Sequence, residues 1–587
     1  MIVVDVLFPI ALRRNLSYRL VEEDSAATTV GSFVRAPIGN RTLLGIVLAI
    51  HSSYDTSNLS KLKFITSIES HVAPISKMRM ELWKWISDYY MCSLGEVMKA
   101  AMISGLPLRM LPEKKRHNHG NKQFPALSSQ QTKAFEQISQ HLLPQKVVLF
   151  KSMHGRFDIY IHLLQQALVS ETSALLLQPE IGVSEQWFQQ LRLLFGERAM
   201  LFHSGQTPAQ RRNTLQNIMQ PSNPIIVAGL RSSLLLLDLK KFGLIIVDEE
   251  HDMAYKQTDP APRYHARDLA IVAGRLYQIP VVLGSSCASL ESEYNTRTGK
   301  YMCVKMDESS YTLPQTKVVD TFRLSKKKQM EGMISHPLLH ALTQSISQQK
   351  QALLFSRRCT LLQEQLQRLF PTARIARLDE LHTPAALRIL LQKFAQKEID
   401  LLIGTQTIHK GLDFDNIGVI GILEADKQLS RPDFRAHERA YQIFTMLSCR
   451  MNSTPLVVLQ TAQANHAFFS YFTHGDVNQF IIEQLQERKD FGYPPFTRLI
   501  ALRFKHRSPE ISLEAAQRFA QELAHIGITH ISGPFASSYT SHLNTQFLWI
   551  HLPRHQESEE FKKKIYNKII NFKCTGGAIQ VDVDPYL

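Results

Sequence analysis

The sequence predicts an α/β protein with two tandem lobes, each a doubly wound parallel sheet, preceded by a small β-rich unit and followed by a small α+β unit. Three observations carry that prediction. Apolar runs at Val147 to Phe150, Ala174 to Leu177, Ile225 to Ala228, Leu244 to Val247 and Val281 to Leu283 are continuous, bounded by turn residues and separated by helical segments, the pattern of strands buried on both faces. The pattern restarts with Ala352 to Phe355, Arg374 to Arg377, Leu401 to Ile403, Val419 to Leu423 and Leu456 to Leu459. One run delivers Asp248, Glu249 and His251 at its carboxyl end, the edge where open α/β sheets bind ligands.

Taken in order, Ile2 to Phe8, Ser32 to Ala36 and Leu43 to Ile50 are short runs broken by Pro9, Gly31, Pro37 and Gly39, a β-rich pattern. From Met78 to Met102 apolar residues recur at helical spacing, with Trp85, Tyr89 and Tyr90 read as core. The tract Pro112 to Gln123 has no apolar residue and is read as a mobile or nucleic-acid-facing basic linker. A last section combines a helix with strands at Leu499 to Phe504, Phe547 to Leu552 and Ile579 to Val583. The resulting division is 1–108, a linker at 109–125, lobes at 126–310 and 311–475, and a terminal domain at 476–587.

The bulk numbers bound the function. A chain of 587 residues with 44% hydrophobic content fills several packed cores. Lys and Arg outnumber Asp and Glu by 67 to 52, which fits an anionic partner, nucleic acid first, although a solvated basic surface gives the same count. The six cysteines (Cys92, Cys287, Cys303, Cys359, Cys449 and Cys574) are scattered without a Cys-x-x-Cys pair, so neither a disulfide framework nor a zinc cluster is expected. No signal peptide or membrane span is expected either, which places the protein in the cytoplasm.

The segment Leu244 to His251 carries the chemistry. In a nucleotide-driven motor the first acid at such a strand end holds Mg²⁺ and the second orients the attacking water. The partner motif, a phosphate loop G-x-x-x-x-G-K-[ST], belongs after Val147 to Phe150, and there the chain reads Phe150-Lys151-Ser152-Met153-His154-Gly155-Arg156-Phe157. Gly155 and a positive charge remain, Arg156 stands where Lys belongs, and Phe157 replaces the metal-binding hydroxyl. Arginine is bulkier than lysine and geometrically different, and phenylalanine cannot ligate magnesium. Tight Mg·ATP binding of the usual kind is therefore not expected. Strand-end loops at Gly229 to Ser232 and Gly284 to Ser286 read equally well as ordinary turns. The segment from Tyr255-Lys256-Gln257 through Pro262 to Asp268 interleaves cations with aromatics, as a strand-binding loop does, and Gly404 to Gly411 ends another strand with polar groups suited to a sugar-phosphate backbone.

These stretches resemble the PriA family of bacterial replication restart helicases. The resemblance also rests on Gln178-Pro179-Glu180-Ile181, His203-Ser204, Ala425-Asp426, Pro432 to Ala436, Glu438-Arg439, Glu487-Arg488, Tyr493 to Phe496, Gly533-Pro534 and Asp582 to Pro585. It implies an amino-terminal domain that recognises a nascent 3′ end, with Asp5, Tyr18, Arg35, Gly39 and Arg41 in its region, two superfamily 2, RecA-like helicase lobes, and a terminal domain that contacts DNA and restart partners. It implies ATP and Mg²⁺ as cofactors. Asp248, Glu249, His251 and Arg450 then fall in the catalytic places, and Gly155, Arg156 and Gln131 in the nucleotide site. Arg35, Arg41, Arg231, Lys256, Arg263, His265, Arg267, Thr405, Gln406 and Lys410 become DNA-contacting candidates. The implied partners are forked or junction DNA, single-strand-binding protein and primosome proteins, with a nucleoid location.

The departures from the family are specific. Arg357-Arg358-Cys359 runs directly into Thr360-Leu361-Leu362 where the family carries a cysteine-rich, two-zinc insertion, so no zinc is expected. The winged helix of the family is reduced to the basic linker. In place of a Q-x-x-G-R-x-G-R signature stands Met446 to Ser453, with Arg450 kept and Ser453 in the distal arginine's place. Loss of a transition-state arginine costs on the order of 10³ to 10⁵ in phosphoryl-transfer rate. Three readings follow: a fork-binding restart factor with impaired ATP hydrolysis, an active 3′–5′ helicase in which Arg156 serves as the phosphate-loop lysine, and an interaction module that does not bind DNA. Under the first, Asp248, Glu249 and His251 hold the strand end by bonds to Arg450 or Gln442. His203, His409 and His437 are read as packing histidines.

Overall fold

The computed structural model describes residues 2–586 apart from 13–14, 22–23, 25–27, 52–60, 103–122, 204, 220–222, 307–313, 381–382, 406–415, 450–454, 537–543, 555–556 and 573–575. The basic linker thus lies largely outside the described residues.

At the amino end five antiparallel strands run in the order Leu16–Leu20, Ile2–Leu7, Arg41–His51, Phe33–Ile38, Ser67–Ile68. Their inner face buries Val4, Val6, Phe8, Tyr18, Val34 and Val47. The run read as helical from Met78 to Met102 is two helices, Lys77–Tyr90 and Leu94–Ala101. Met91 adopts a left-handed φ of 52° and its N–H bonds the Ser87 carbonyl, which ends the first helix. Ser93 then caps the second through a reciprocal bond with Glu96. Gly95 is dictated by contact, because a Cβ there would lie 2.0 Å from the Ile10 carbonyl oxygen.

Each lobe holds one parallel sheet. Lobe one has seven strands in the order Met302–Lys305, Val147–Lys151, Val281–Ser285, Phe242–Val247, Ser173–Leu177, Ile226–Gly229, Ala199–Phe202. Alternate residues feed opposite faces: Leu149, Leu175, Leu177, Ile245 and Val247 pack to one side, and Val148, Phe150, Leu176, Leu244 and Ile246 to the other. That double burial is why these strands are apolar throughout. Lobe two has six strands in the order Thr316–Asp320, Leu456–Thr461, Ile417–Ile422, Gln351–Phe355, Leu401–Gly404, Ile375–Arg377. Ser356 to Arg358 join Gln351–Phe355 directly to the helix Cys359–Leu369.

The terminal domain follows a β-α-β-β-α-β course with strand order Ile531–Ala536, Asn544–Pro553, Thr497–His506, Ala578–Val583, all antiparallel. Ile500, Leu502, Phe504, Leu548, Ile550 and Val583 share the core with Phe519 and Ile565 of its two helices. Buried ionic contacts connect the parts. Glu291 of lobe one pairs with Arg435 of lobe two at 3.0 Å and with Arg488 at 3.2 Å, and Glu438 accepts from the Leu290 N–H at 2.8 Å and pairs with Arg488 at 2.5 Å.

Candidate functional site

The strand Phe242–Val247 sits mid-sheet with Ser173–Leu177 on one side and Val281–Ser285 on the other. Asp248 emerges at the carboxyl edge, where its N–H bonds the Leu177 carbonyl at 3.0 Å. Tyr255 locks the exit, its hydroxyl donating to the Asp248 carbonyl at 2.6 Å and the Leu177 carbonyl at 3.0 Å. Glu249 takes a left-handed φ of 46°, an unusual conformation for a non-glycine residue at a functional corner.

Opposite stands Arg156, the first residue of the helix Arg156–Val169, and Gly155 takes a left-handed φ of 67° before it. A Cβ at Gly155 would meet the Gln131 amide nitrogen at 2.6 Å. The Arg156 guanidinium turns into the acid corner. Nε donates to Asp248 Oδ1 at 3.0 Å, Nη2 donates to Glu249 Oε1 at 2.6 Å, and Nη1 donates to the Ser152 carbonyl. One turn on, Tyr160 donates to the same Asp248 Oδ1 at 2.9 Å. Glu249 Oε2 accepts from the Ser286 N–H at 3.1 Å and the Ser286 hydroxyl at 2.9 Å. Arg156, Asp248 and Glu249 are at most 7% exposed.

The electrostatics follow from that burial. Desolvation pushes the Asp248 carboxyl up from its usual range, and the Arg156 guanidinium pulls it part of the way back. For Arg156 burial acts downward, but Asp248 and Glu249 outweigh it and hold the guanidinium above its ordinary value. Burial, with Asp248 beside it, likewise raises the Tyr160 phenol. A guanidinium thus occupies the space between the two carboxylates. The residues present fit Mg²⁺ only if Arg156 leaves.

The neighbouring side chains are paired as well. Phe157 packs on Trp187 with ring centroids 4.3 Å apart. Gln131, held in a capping box with Ser128, gives its amide to the Gly155 carbonyl and to Asp158 Oδ2, each at 3.1 Å. His251 Nδ1 meets Ser285 Oγ at 2.8 Å, while its buried Nε2 has no hydrogen-bond partner among the described residues. Glu250 is a structural acid: it takes Arg267 at 3.0 Å, the Ser289 N–H at 2.7 Å and the Ser292 hydroxyl at 3.0 Å.

Several expectations are corrected by position. Of the two residues expected to hold the strand end, Arg450 lies outside the described residues and Gln442 contacts Glu438 at 3.5 Å instead; Arg156 and Tyr160 bond the acids there. Lys256, Arg263, His265 and Arg267 do not form an open loop facing a strand. Lys256 is buried against Asp582 at 2.9 Å and the Arg263 and Val583 carbonyls at 2.7 Å each. Arg263 donates to the Val581 carbonyl at 3.1 Å, and His265 packs on Tyr586 at 5.2 Å. Arg267 pairs with Glu250 at 3.0 Å and Asp268 at 2.8 Å. The segment is a buried strut that fastens lobe one to the terminal domain. Arg231 bonds the Ala254 carbonyl at 2.8 Å, Arg35 pairs with Glu69 at 2.5 Å, and Arg41 is exposed. Thr405 is half-buried after Leu401–Gly404, and Gln406, His409 and Lys410 lie outside the described residues. His203 accepts from the Gly205 N–H at 3.1 Å and His437 packs on His466 at 5.4 Å; burial lowers both their pKa values.

Trp83, fully buried, is the core tryptophan of the helical unit, whereas Trp85 and Tyr89 are half-buried and stack at 4.6 Å. They line a cavity of about 210 Å³ where all four parts of the chain meet. Tyr89 donates to Asp584 at 2.6 Å, and Arg435 lies 4.5 Å over the Tyr586 ring. Sequence reasoning missed Tyr160 and Tyr586. Tyr160 carried a signal, its one-turn spacing from Arg156 on the same helix face; Tyr586 carried none.

An acid-tipped central strand facing a helix amino terminus in one parallel-sheet lobe, a second such lobe beside it and a β-rich unit in front define a two-lobed helicase core with an added DNA-binding domain. Residues 5–103 match the PriA 3'DNA-binding domain (3'BD) family, 151–294 the DEAD/DEAH box helicase family and 335–443 the helicase conserved C-terminal domain family. Proteins named replication restart protein PriA are similar along most of the chain. That of Rickettsia conorii is 28% identical with 92% of each chain covered, that of Rickettsia prowazekii 29% with 88% of this chain and 89% of the relative, and that of Treponema pallidum 26% with 87% and 88%. Among solved structures, RecG bound to a three-way DNA junction aligns with a TM-score of 0.43 at 12% identity over 83% of this chain and 74% of that one. The chain belongs to the PriA family.

Proposed function

We propose that this protein is a replication restart factor that binds arrested forks and other branched DNA and supports primosome assembly, with ATP hydrolysis impaired by its own Arg156. The observation that carries the second half is the bidentate hold of Arg156 on Asp248 and Glu249 at 3.0 and 2.6 Å. Mg²⁺ would supply charge neutralisation and a template for the phosphates, and the residues able to hold it are these same two carboxylates. Breaking a buried ion pair to admit the metal costs several kcal/mol before any phosphate is bound. Phe157 offers no hydroxyl in compensation. Support for fork binding comes from the amino-terminal domain and the family, and a cytoplasmic protein acting at the nucleoid is part of the same proposal.

The single-strand-binding protein contact implied by the family is assigned to the four-part cavity. Lys300, Arg498 and Arg554 stand there with Trp85, Tyr89, Ile271 and Val272, and Asp268, Glu291 and Asp584 complete a lining of mixed charge. Burial and the neighbouring Arg554 lower the Lys300 pKa, as expected where cations converge.

A single experiment tests the central claim: phosphate release from ATP with and without forked DNA, alongside salt-sensitive fork binding. The reading expects fork binding without DNA-stimulated release. Robust release that disappears in Asp248→Asn would overturn it in favour of an active helicase, in which Arg156 swings from the acids to the phosphates. Absent fork binding at low salt would favour a module that does not bind DNA.

A further inference from the structure

Lobe two carries a basic and aromatic patch that none of the sequence motifs includes. The strand Thr316–Asp320 is an edge strand of the lobe-two sheet and pairs in parallel with Leu456–Thr461, Asp320 opposite Thr461. The chain therefore leaves Asp320 at the carboxyl edge of the sheet. This is the edge where Gly404-Thr405 also emerges, since Gly404 pairs with Phe355 and Phe355 with Ile422. Ligands of open parallel sheets gather outside this edge. From Thr321 to Met330 the sequence is TFRLSKKKQM, with four cations and no acid.

Phe322, Arg323, Lys326, Lys327 and Lys328 are all exposed. Phe322 is 59% exposed, and Lys326 Nζ lies 4.2 Å from its ring centroid. No ion pair involves Arg323, Lys326, Lys327 or Lys328 among the described residues, whereas three of the cations first read as DNA-facing, Lys256, Arg263 and Arg267, are buried in ion pairs. An exposed aromatic of this size beside four unneutralised cations is the combination that tracks a single strand, cations on phosphates and a ring under a base.

We infer that the patch Phe322 to Lys328 is a contact for single-stranded nucleic acid, at which Arg323 and the three lysines meet the sugar-phosphate backbone and Phe322 stacks on one base. The inference rests on the DNA-binding reading above and adds a place to it. In strand order, Thr316–Asp320 and Leu401–Gly404 are four steps apart, about 19 Å at the usual strand spacing. A single strand of a few nucleotides spans that distance along the carboxyl edge.

The test is a salt titration of binding to a labelled single-stranded oligonucleotide, a duplex of the same length and a fork, using the full chain. The variants are Arg323→Gln/Lys326→Gln/Lys327→Gln/Lys328→Gln together, and Phe322→Ala alone. Each phosphate neutralised on a single strand contributes about 0.7 to the slope of log K against log salt, so losing four contacts lowers the slope by about 3. Phe322→Ala is expected to weaken single-strand binding roughly tenfold with the slope and the duplex affinity unchanged. All these side chains are exposed, so thermal melting should match the wild type. A wild-type slope in the quadruple variant overturns the patch, and equal losses on duplex and single strand in Phe322→Ala overturn the stacking role. If the wild type binds none of the three DNAs, the underlying DNA-binding reading fails instead.

Discussion

Replacing Arg156 by alanine separates an internal counter-ion from an ordinary surface arginine. The substitution removes donors at 3.0 and 2.6 Å from two carboxylates that are 3% and 5% exposed, and leaves both acids in the apolar interior of lobe one. Breaking such a pair from one side costs about 3 to 5 kcal/mol, which for a lobe of this size lowers the melting temperature by roughly 10 °C. The penalty has a definite pH sign. The folded-state pKa of Asp248 is already raised by burial, so its contribution to stability is present below the unfolded carboxylate range and is lost as pH rises through the folded value. Without Arg156 that value climbs further, and the variant should lose most near neutrality and least in acid. Divalent metal should then bind the vacated corner. At a hundredfold excess over its dissociation constant Mg²⁺ would restore about 2.7 kcal/mol to the variant and nothing to the wild type. Differential scanning fluorimetry of both proteins, across pH and with or without millimolar Mg²⁺, reads all three effects. An Arg156→Ala protein that melts with the wild type and is indifferent to Mg²⁺ would refute the counter-ion argument.

Two other predictions concern the strut to the terminal domain. Asp582→Asn removes the charge opposite Lys256, which is held at 2.9 Å with both groups at most 1% exposed. It should cost about 3 kcal/mol and release the terminal domain to limited proteolysis before the lobes are cut, whereas cleavage in the wild-type order would contradict the strut. His265, whose pKa is pushed down to about 3 by burial and then by Arg267, cannot take up the proton that the unfolded chain binds below about pH 6.5. Stability from this residue is therefore full above about pH 6.5 and falls as pH drops toward 3, and His265→Leu should flatten that part of the melting-temperature profile.

The parallel sheets were legible because burial on both faces leaves no room for polar alternation, and Leu244–Val247 or Val147–Phe150 could be placed almost to the residue. Several edge strands were not. Leu16–Leu20, Met302–Lys305, Thr316–Asp320 and Ile531–Ala536 carry Ser17, Arg19, Lys305, Lys317 or Gly533 among their apolar residues, and Ala199–Phe202 is only four residues long. Their pairing is fixed by a neighbouring strand rather than by their own pattern. The helical run from Met78 to Met102 hid its break because Met91 is a poor sequence signal for a left-handed turn. At the candidate site the pairing of the residues was invisible in the sequence. Nothing in one dimension says that Arg156 reaches across to Asp248 and Glu249, or that Lys256 is matched by Asp582 more than three hundred residues away. Cations interleaved with aromatics describe a solvent-facing strand groove and a buried seam equally well. Only burial separates the two.

A metal corner neutralised from within also changes what governs the lifetime of the complex. A motor leaves its track when a fuel cycle carries it off, and its occupancy follows the cellular ratio of nucleoside triphosphate to diphosphate. With Arg156 standing between Asp248 and Glu249, residence on DNA on this reading is an equilibrium quantity, set by concentration, ionic strength and the competing partner. Such a factor stays on a stalled fork through energy starvation and leaves when it is displaced.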